Sequence, residues 1–223
     1  MFDLLMMVPS RGRPESIIRL RDAWNDTATG NSSFVVLVDN DDERLGEYLA
    51  IEGITLEVWP RLRIGGTVNA VAPRLARESY SLGFMGDDHV PRTIGWDQQF
   101  VDALKYMRTG VVYGNDLLQG ERLPTAVVMT SDIVSTLGYY VMPGGIHLFL
   151  DNFWLAIGQG LGRLKYLGDV VVEHVHPSAG KGDWDSTYAE ANSGPTWEAD
   201  QATFTAYIAN TYPSDIEKLK ALL

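Results

Sequence analysis

Three stretches in the first 90 residues are apolar without a polar interruption, and charged residues follow each of them closely. They lie at 4–8 (Leu4, Leu5, Met6, Met7, Val8), 34–38 (Phe34, Val35, Val36, Leu37, Val38) and 82–85 (Leu82, Gly83, Phe84, Met85). A short run with no polar alternation reads as a strand buried on both faces, and such strands belong to parallel sheets covered by helices. The intervening segments agree. Ile17, Leu20 and Trp24 recur at helical spacing within 16–24. A short helix is expected over 42–50, a strand over 55–59, and a helix over 67–80 with Val68, Val71, Ala72 and Leu75 on one face. Strand and helix alternate, which predicts a doubly wound sheet with right-handed crossovers and with its polar strand ends along one edge.

The second half is less regular. Helices are expected over 95–107, from Ser131 onward and over 151–158; strands over 111–113, 126–129, 164–167 and 169–173; and a flexible loop over 144–147. Residues 174–189 read as irregular, and 197–223 as mostly helical, broken near Tyr212 and Pro213 and packed on the outside. A chain of 223 residues suits one domain with a substantial core. Its net charge of −11 argues against nucleic acid or anionic lipid as a partner, although a small phosphorylated ligand needs only a few clustered basic residues. The lack of cysteine rules out disulfides and thiolate metal sites and fits a reducing compartment. Met1, Phe2, Asp3 and Leu4 lack the basic start of a signal peptide, and no apolar run reaches membrane-spanning length, so a cytoplasmic location is expected.

Four strand-end loops carry polar residues of the kind a sugar nucleotide needs. Leu82 to Met85 is followed by Gly86, Asp87, Asp88 and His89, which delivers oxygen and imidazole ligands suited to Mn²⁺ or Mg²⁺ to the carboxyl end of a strand. Arg11 and Arg13 flank Gly12 just before a helix, where a diphosphate is served by the helix dipole, backbone N–H groups and guanidinium forks. Asp39 can accept from a ribose hydroxyl or a base N–H. Gly65 and Gly66 let backbone approach a ligand, with Asn69 one turn into the helix. Each also has a plain structural reading: the acids as helix caps, the arginines as solvated charges, Asn69 as a surface amide.

Taken in order, the strand into Pro9, Ser10, Arg11, Gly12, Arg13 and Pro14, the strand into Asp39, the helix with Gly65 and Asn69, and Gly86, Asp87 and Asp88 resemble the nucleotide-diphospho-sugar glycosyltransferases of the GT-A fold, close to the family-2-like group. The resemblance covers roughly residues 3–190 and is similar in kind to small glycosyltransferases encoded by bacteriophages, for which the location would be the host cytoplasm. It implies an α/β GT-A fold, a Rossmann-like central mixed sheet flanked by helices. It implies one domain over 1–223: a nucleotide-binding half (1–90), an acceptor and metal half (91–190) and a helical C-terminal segment (191–223). It also implies a hexosyltransferase-type enzyme with Mn²⁺ or Mg²⁺, a UDP- or GDP-sugar donor, and a protein or glycan acceptor. Pro9, Ser10, Arg11, Arg13, Asp39, Gly65, Asn69, Asp87 and Lys181 are then the residues expected on the donor.

The chain departs from the family at Gly86, which stands where the first acid of the Asp-x-Asp motif usually stands. Either Asp88 is that motif's last, metal-binding acid, or Asp87, Asp88 and His89 form an Asp-x-His motif. The family often adds a late histidine; His174 and His176 fit, and in an extended segment they share a face. Ser178, Ala179, Gly180, Lys181 and Gly182 read as a mobile stretch, with Trp184, Asp185 and Tyr188 as further parts of a lid. Asp151 matches the position of the family's catalytic base in inverting enzymes, and Trp154 or Trp96 is expected to stack on a sugar. Retention of configuration on the same fold, a sugar-nucleotide nucleotidyltransferase, and a non-catalytic carbohydrate-binding or virion protein are the competing readings.

Overall fold

The computed structural model describes residues 1–177, 180, 181 and 184–223. Four parallel strands form its first half: β1 (Phe2–Ser10), β2 (Ser32–Asp39), β3 (Thr55–Trp59) and β4 (Ser79–Phe84), in the spatial order β3-β2-β1-β4. The crossovers are α1 (Pro14–Thr27), α2 (Leu45–Leu49) and α3 (Arg63–Leu75). The apolar run of β1 explains its central place. Leu4, Met6 and Val8 face one core with Ile17, Leu20 and Trp24, while Leu5 and Met7 face the other with Val68, Val71 and Leu75. Successive strand residues point to opposite faces, so only an unbroken apolar sequence can serve both.

Beyond β4 the sheet becomes mixed. A three-residue strand, β5 (His89–Pro91), is followed by α4 (Trp96–Met107), β6 (Val111–Asn115), β7 (Val127–Thr130) and α5 (Ser131–Leu137). Then come α6 (Leu150–Leu161), β8 (Leu164–His174), α7 (Ser186–Ala191), α8 (Gly194–Asn210) and α9 (Tyr212–Lys220). β7 runs antiparallel to β4 and β6, β8 runs parallel to β6, and β5 closes the far edge antiparallel to β8, completing eight strands. The two strands expected over 164–173 are one continuous strand, β8, and β5 was not expected from the sequence at all.

Two further expectations need correction. Gly65 and Gly66 lie in the first turns of α3, not in a loop. The Gly65 N–H donates to the Ile146 carbonyl at 3.0 Å, and a β-carbon at Gly65 would overlap the Gly145 carbonyl. This glycine therefore admits a neighbouring stretch of protein backbone, not a ligand. Asn69 serves the same junction: its amide donates to the Val141 carbonyl at 3.0 Å and accepts from the N–H groups of Tyr140 and Val141 at 2.8 and 3.0 Å. Neither residue lines the cleft described below.

The C-terminal segment does more than cover the outside. Tyr207, Ile216 and Leu219 are buried in the core shared by α3 and α6. Asp200, fully buried on α8, accepts from the N–H groups of Ile146, His147 and Leu148 at 2.7, 2.9 and 2.7 Å. One carboxylate accepting from three backbone donors fixes the loop that leads into α6.

Candidate functional site

The carboxyl ends of β1, β2 and β4 open into a cleft of about 540 Å³, closed on its other side by residues 146–151 and by α7. Pro9, Ser10, Arg11, Arg13, Asp39, Asp87, Asp88, His89, Asp151, His174 and His176 all line it. So do the chain's remaining histidine, His147, and two arginines that sequence reasoning passed over, Arg61 and Arg63. Those two arginines do sit at a strand end, after β3, and that position was the available signal.

The densest chemistry lies where β5 meets β8. Register pairs His89 with His174, and the two rings stack at 4.1 Å. Asp88 is buried beside them, with Oδ1 3.1 Å from His89 Nδ1 and Oδ2 3.1 Å from His174 Nε2. Its carbonyl accepts from the Val175 N–H at 2.8 Å, which ties the two segments together. Ligand atoms of Asp88, His89 and His174 all lie within 4.8 Å of one another.

The hydrogen-bond network tests whether a divalent ion fits there. The Gly86 N–H donates to His89 Nδ1 at 3.2 Å, which puts the ring proton on Nε2, facing Thr125 Oγ1 at 3.4 Å. Thr125 in turn donates to Asp116 Oδ2 at 2.8 Å. The lone pair of His89 Nδ1, here accepting from the Gly86 N–H, lies 3.1 Å from the Asp88 carboxylate, and a cation bound between them would take it over from that N–H. His174 Nδ1 is buried without a hydrogen-bond partner, with Asp116 Oδ2 4.0 Å away. One carboxylate and two imidazoles form a donor set suited to Mn²⁺. The residues therefore fit a divalent cation.

The charge states describe a site where a cation would replace a proton: burial opposes the charge on His174, but its hydrogen bond to Asp88 outweighs burial and raises its pKa. Burial, then the charge of His174, lowers the pKa of His89 and favours the neutral imidazole. Burial opposes ionisation of Asp88, but the hydrogen bond from His174 outweighs it and holds this carboxyl well below the usual range. Burial and the neighbouring Asp88 push Asp87 up, against Arg13 and Ser10. His176 lies outside the trio, its ring 5.0 Å from those of His174 and Tyr188.

The first loop is built differently from the expectation. Its backbone donors are taken: the Gly12 N–H by Asp42 Oδ2 and the Arg13 N–H by the buried Tyr48 hydroxyl, both at 2.7 Å. What it offers the cleft is side chains. Ser10 Oγ donates to Asp87 at 2.6 Å, and Arg13 Nη1 reaches the same carboxylate at 3.3 Å. Arg11 Nη1 donates to Asp39 at 2.9 Å and Asp41 at 2.6 Å. Asp39 is raised by burial, opposed by Arg11.

Asp151 is the second residue of α6, and its carboxylate accepts from the Asn152 N–H at 2.9 Å. Burial raises its pKa. The residue that caps this helix, Phe149, has φ of +61°, a left-handed conformation that costs a bulky side chain about 1–2 kcal/mol. Its ring is held by Phe204 at 5.7 Å and Trp197 at 5.0 Å, both from α8. Packing by the C-terminal segment thus offsets strain at the turn that presents Asp151.

Three expectations do not hold in this geometry. Trp96 is fully buried against Trp24 and Phe100, so it has no face for a sugar. Trp154 forms part of the cleft wall but is only 1% exposed, and its indole N–H donates to the Tyr140 carbonyl at 3.0 Å. Lys181 is exposed, donates to Glu173 at 2.7 Å and does not line the cleft. Of the expected lid, Ser178, Ala179 and Gly182 lie outside the described residues.

The sequence matches no protein-family model and no curated protein. Solved structures do share its fold. The mannosyltransferase PcManGT from Pyrobaculum calidifontis, solved with GDP-Man and Mn²⁺, has a TM-score of 0.56 at 13% identity, over 98% of this chain and 73% of that one. S. aureus TarS 1–349 has a TM-score of 0.58 at 11% identity, over 98% and 89%. Glucosyl-3-phosphoglycerate synthase from Mycobacterium tuberculosis, solved with Mg²⁺ and UDP, has a TM-score of 0.61 at 13% identity, over 92% and 79%. Likeness at these identities establishes the fold: a mixed eight-stranded sheet flanked by helices, as in the GT-A glycosyltransferases.

Proposed function

We propose that this chain is a metal-dependent glycosyltransferase that moves a hexosyl group from a UDP- or GDP-sugar to a hydroxyl of a glycan or protein acceptor. The observation that carries this reading is the cluster of Asp88, His89 and His174 in the same cleft as the arginines of the β1 and β3 loops, on a fold whose solved examples hold Mn²⁺ or Mg²⁺ with GDP-Man or UDP. Asp88 and His174, with His89, would hold the ion. When bound, it neutralises charge on the leaving diphosphate.

The chain's own residues do the rest. Arg13, Arg61 and Arg63 offer guanidinium forks to phosphate oxygens, and Arg charge is well matched to that task. Asp39, at the end of β2, accepts from the nucleoside. Asp87, bridging Ser10 and Arg13, orders the arginine next to the metal residues. Asp151 takes the proton of the acceptor hydroxyl. Its raised pKa makes it a better proton acceptor than an exposed carboxylate. Direct attack by that hydroxyl inverts the anomeric carbon. Holding hydroxyl, carbon and leaving oxygen in line supplies much of the rate.

Thermal-shift measurements with UDP- and GDP-sugars, each with and without Mn²⁺, test the reading. A ligand that binds only the native state raises the midpoint. Stabilisation by at least one sugar nucleotide that needs both Mn²⁺ and Asp88 supports it. No stabilisation by any of them, or equal stabilisation in Asp88→Ala, counts against it.

A further inference from the structure

Three of the cleft's four arginines, Arg13, Arg61 and Arg63, are already matched by one short piece of chain. Asp185 grips Arg13 with both oxygens, at 2.6 Å from Nε and 2.7 Å from Nη2. Glu190 bridges two arginines, Arg61 at 2.5 Å and Arg63. Between them, the Tyr188 hydroxyl donates to Asp88 Oδ2 at 2.6 Å, the same oxygen that faces His174. The Arg13 guanidinium lies 4.0 Å over the Tyr188 ring. Two carboxylates thus stand on the arginines and one O–H stands on the metal-site carboxylate. That is the charge pattern of a metal-bound diphosphate, made from protein.

The match is incomplete. Among the described residues, four buried side-chain atoms lack a hydrogen-bond partner, and three of them line this cleft: Arg61 Nε, Thr67 Oγ1 and His174 Nδ1. Buried polar groups in native structures nearly always find partners, so these three mark contacts that the internal segment leaves unmade. The pairs it does make are also half open to water: Glu190 is 43% exposed and Asp185 39%. Solvent screening weakens such pairs, although the two-pronged Asp185–Arg13 pair is the stronger of them.

We infer that segment 185–190 is a displaceable internal ligand: Asp185, Tyr188 and Glu190 occupy the diphosphate and metal positions of the cleft, and a metal-bound diphosphate must evict them to bind. This rests on reading the cleft as a nucleoside-diphosphate site. It makes the empty protein self-inhibited, and the apparent affinity for donor is the intrinsic one reduced by the fraction of molecules in which the segment is released. The segment also keeps stray anions off these arginines until a ligand carrying both diphosphate and metal arrives.

The test uses the whole chain, with UDP, GDP and inorganic pyrophosphate as probes, each with Mn²⁺. Binding is followed by titration calorimetry, and release of the segment by hydrogen exchange of the amides of residues 186–191. Glu190→Gln removes the bridging charge without changing size, and Asp185→Asn retains a residue that caps α7 well. The expected result is faster exchange in 186–191 when a probe binds, and affinity in Glu190→Gln tightened about three- to tenfold, as loss of competing half-exposed ion pairs allows. If a nucleoside diphosphate binds while exchange in 186–191 slows or stays the same, and Glu190→Gln weakens binding or leaves it unchanged, the segment is a fixed wall of the site. The inference then falls and the reading of the cleft stands. If pyrophosphate alone binds and releases the segment, the inference stands and the nucleotide reading falls. If no probe binds either protein, both fall.

Discussion

Gly86 replaces an acid expected from the resemblance, and the structure gives a reason that can be tested by Gly86→Ala. A β-carbon at this position would lie 2.5 Å from Asp88 Oδ1 and 3.2 Å from His89 Nδ1. Ordinary contact begins near 3.4 Å, so the carboxylate must retreat by about 0.9 Å. Metal–ligand distances tolerate only about ±0.2 Å. The retreat would also stretch the contacts of Asp88 with His174 and Tyr188, at 3.1 and 2.6 Å. The backbone itself resists little, because Gly86 is not among the glycines with positive φ. The expected outcome is a fall of about 10–100-fold in Mn²⁺ affinity, the range seen when the support of a metal ligand is disturbed. The thermal midpoint should move by less than about 4 °C. Calorimetric titration with Mn²⁺, paired with a thermal melt, reads both. Unchanged Mn²⁺ affinity in a folded Gly86→Ala protein would refute the argument that this glycine exists to make room for the Asp88 carboxylate.

Further outcomes follow from the same geometry. Gly65→Ala should cost about 1–3 kcal/mol, because the obstacle is the Gly145 backbone; an unchanged urea midpoint would contradict this packing. His174→Ala should weaken Mn²⁺ binding strongly and His176→Ala little, since only His174 belongs to the trio; equal effects in calorimetry would break that assignment. Asp151→Asn should keep donor and metal affinity but slow transfer by about 10²–10⁴-fold, with full activity moving the base elsewhere. The pH profile carries its own sign. Burial raises the Asp151 pKa and the base must be ionised, so kcat/KM should fall as pH drops through a value above the ordinary aspartate range. A rate flat down to pH 4 would exclude Asp151 as the titrating base.

The first half of the fold was legible because each buried strand had to be apolar on both faces, as β1 and β2 are. The strand ends then named much of the cleft: Arg11, Arg13, Asp39, Asp87 and Asp88 all line it. Other parts left no such trace. β5 is His89, Val90 and Pro91, too short for any periodicity, yet its pairing with β8 is what stacks His89 on His174. Gly65 and Asn69 look the same in sequence whether they meet a ligand or a neighbouring loop, and here they meet the loop. Arg61 and Arg63 fall in a helix-start region that reads as a plain basic loop. Their position after β3 was a signal for the cleft, but their pairing with Glu190, far along the chain, shows only in the fold. Asp200 is likewise one acid among many until the fold brings it under three N–H groups.

In the proposed function a divalent ion and a nucleoside diphosphate share this cleft, with the ion on Asp88. The most direct measurement is a crystal structure grown with Mn²⁺ and UDP or GDP, with an anomalous difference map collected at the manganese edge. The expected result is a peak within coordination distance of Asp88 and His174, with diphosphate oxygens on the ion and on Arg13. Bound nucleotide with the anomalous peak elsewhere, or with Asp88 making no contact to the ion, would contradict it.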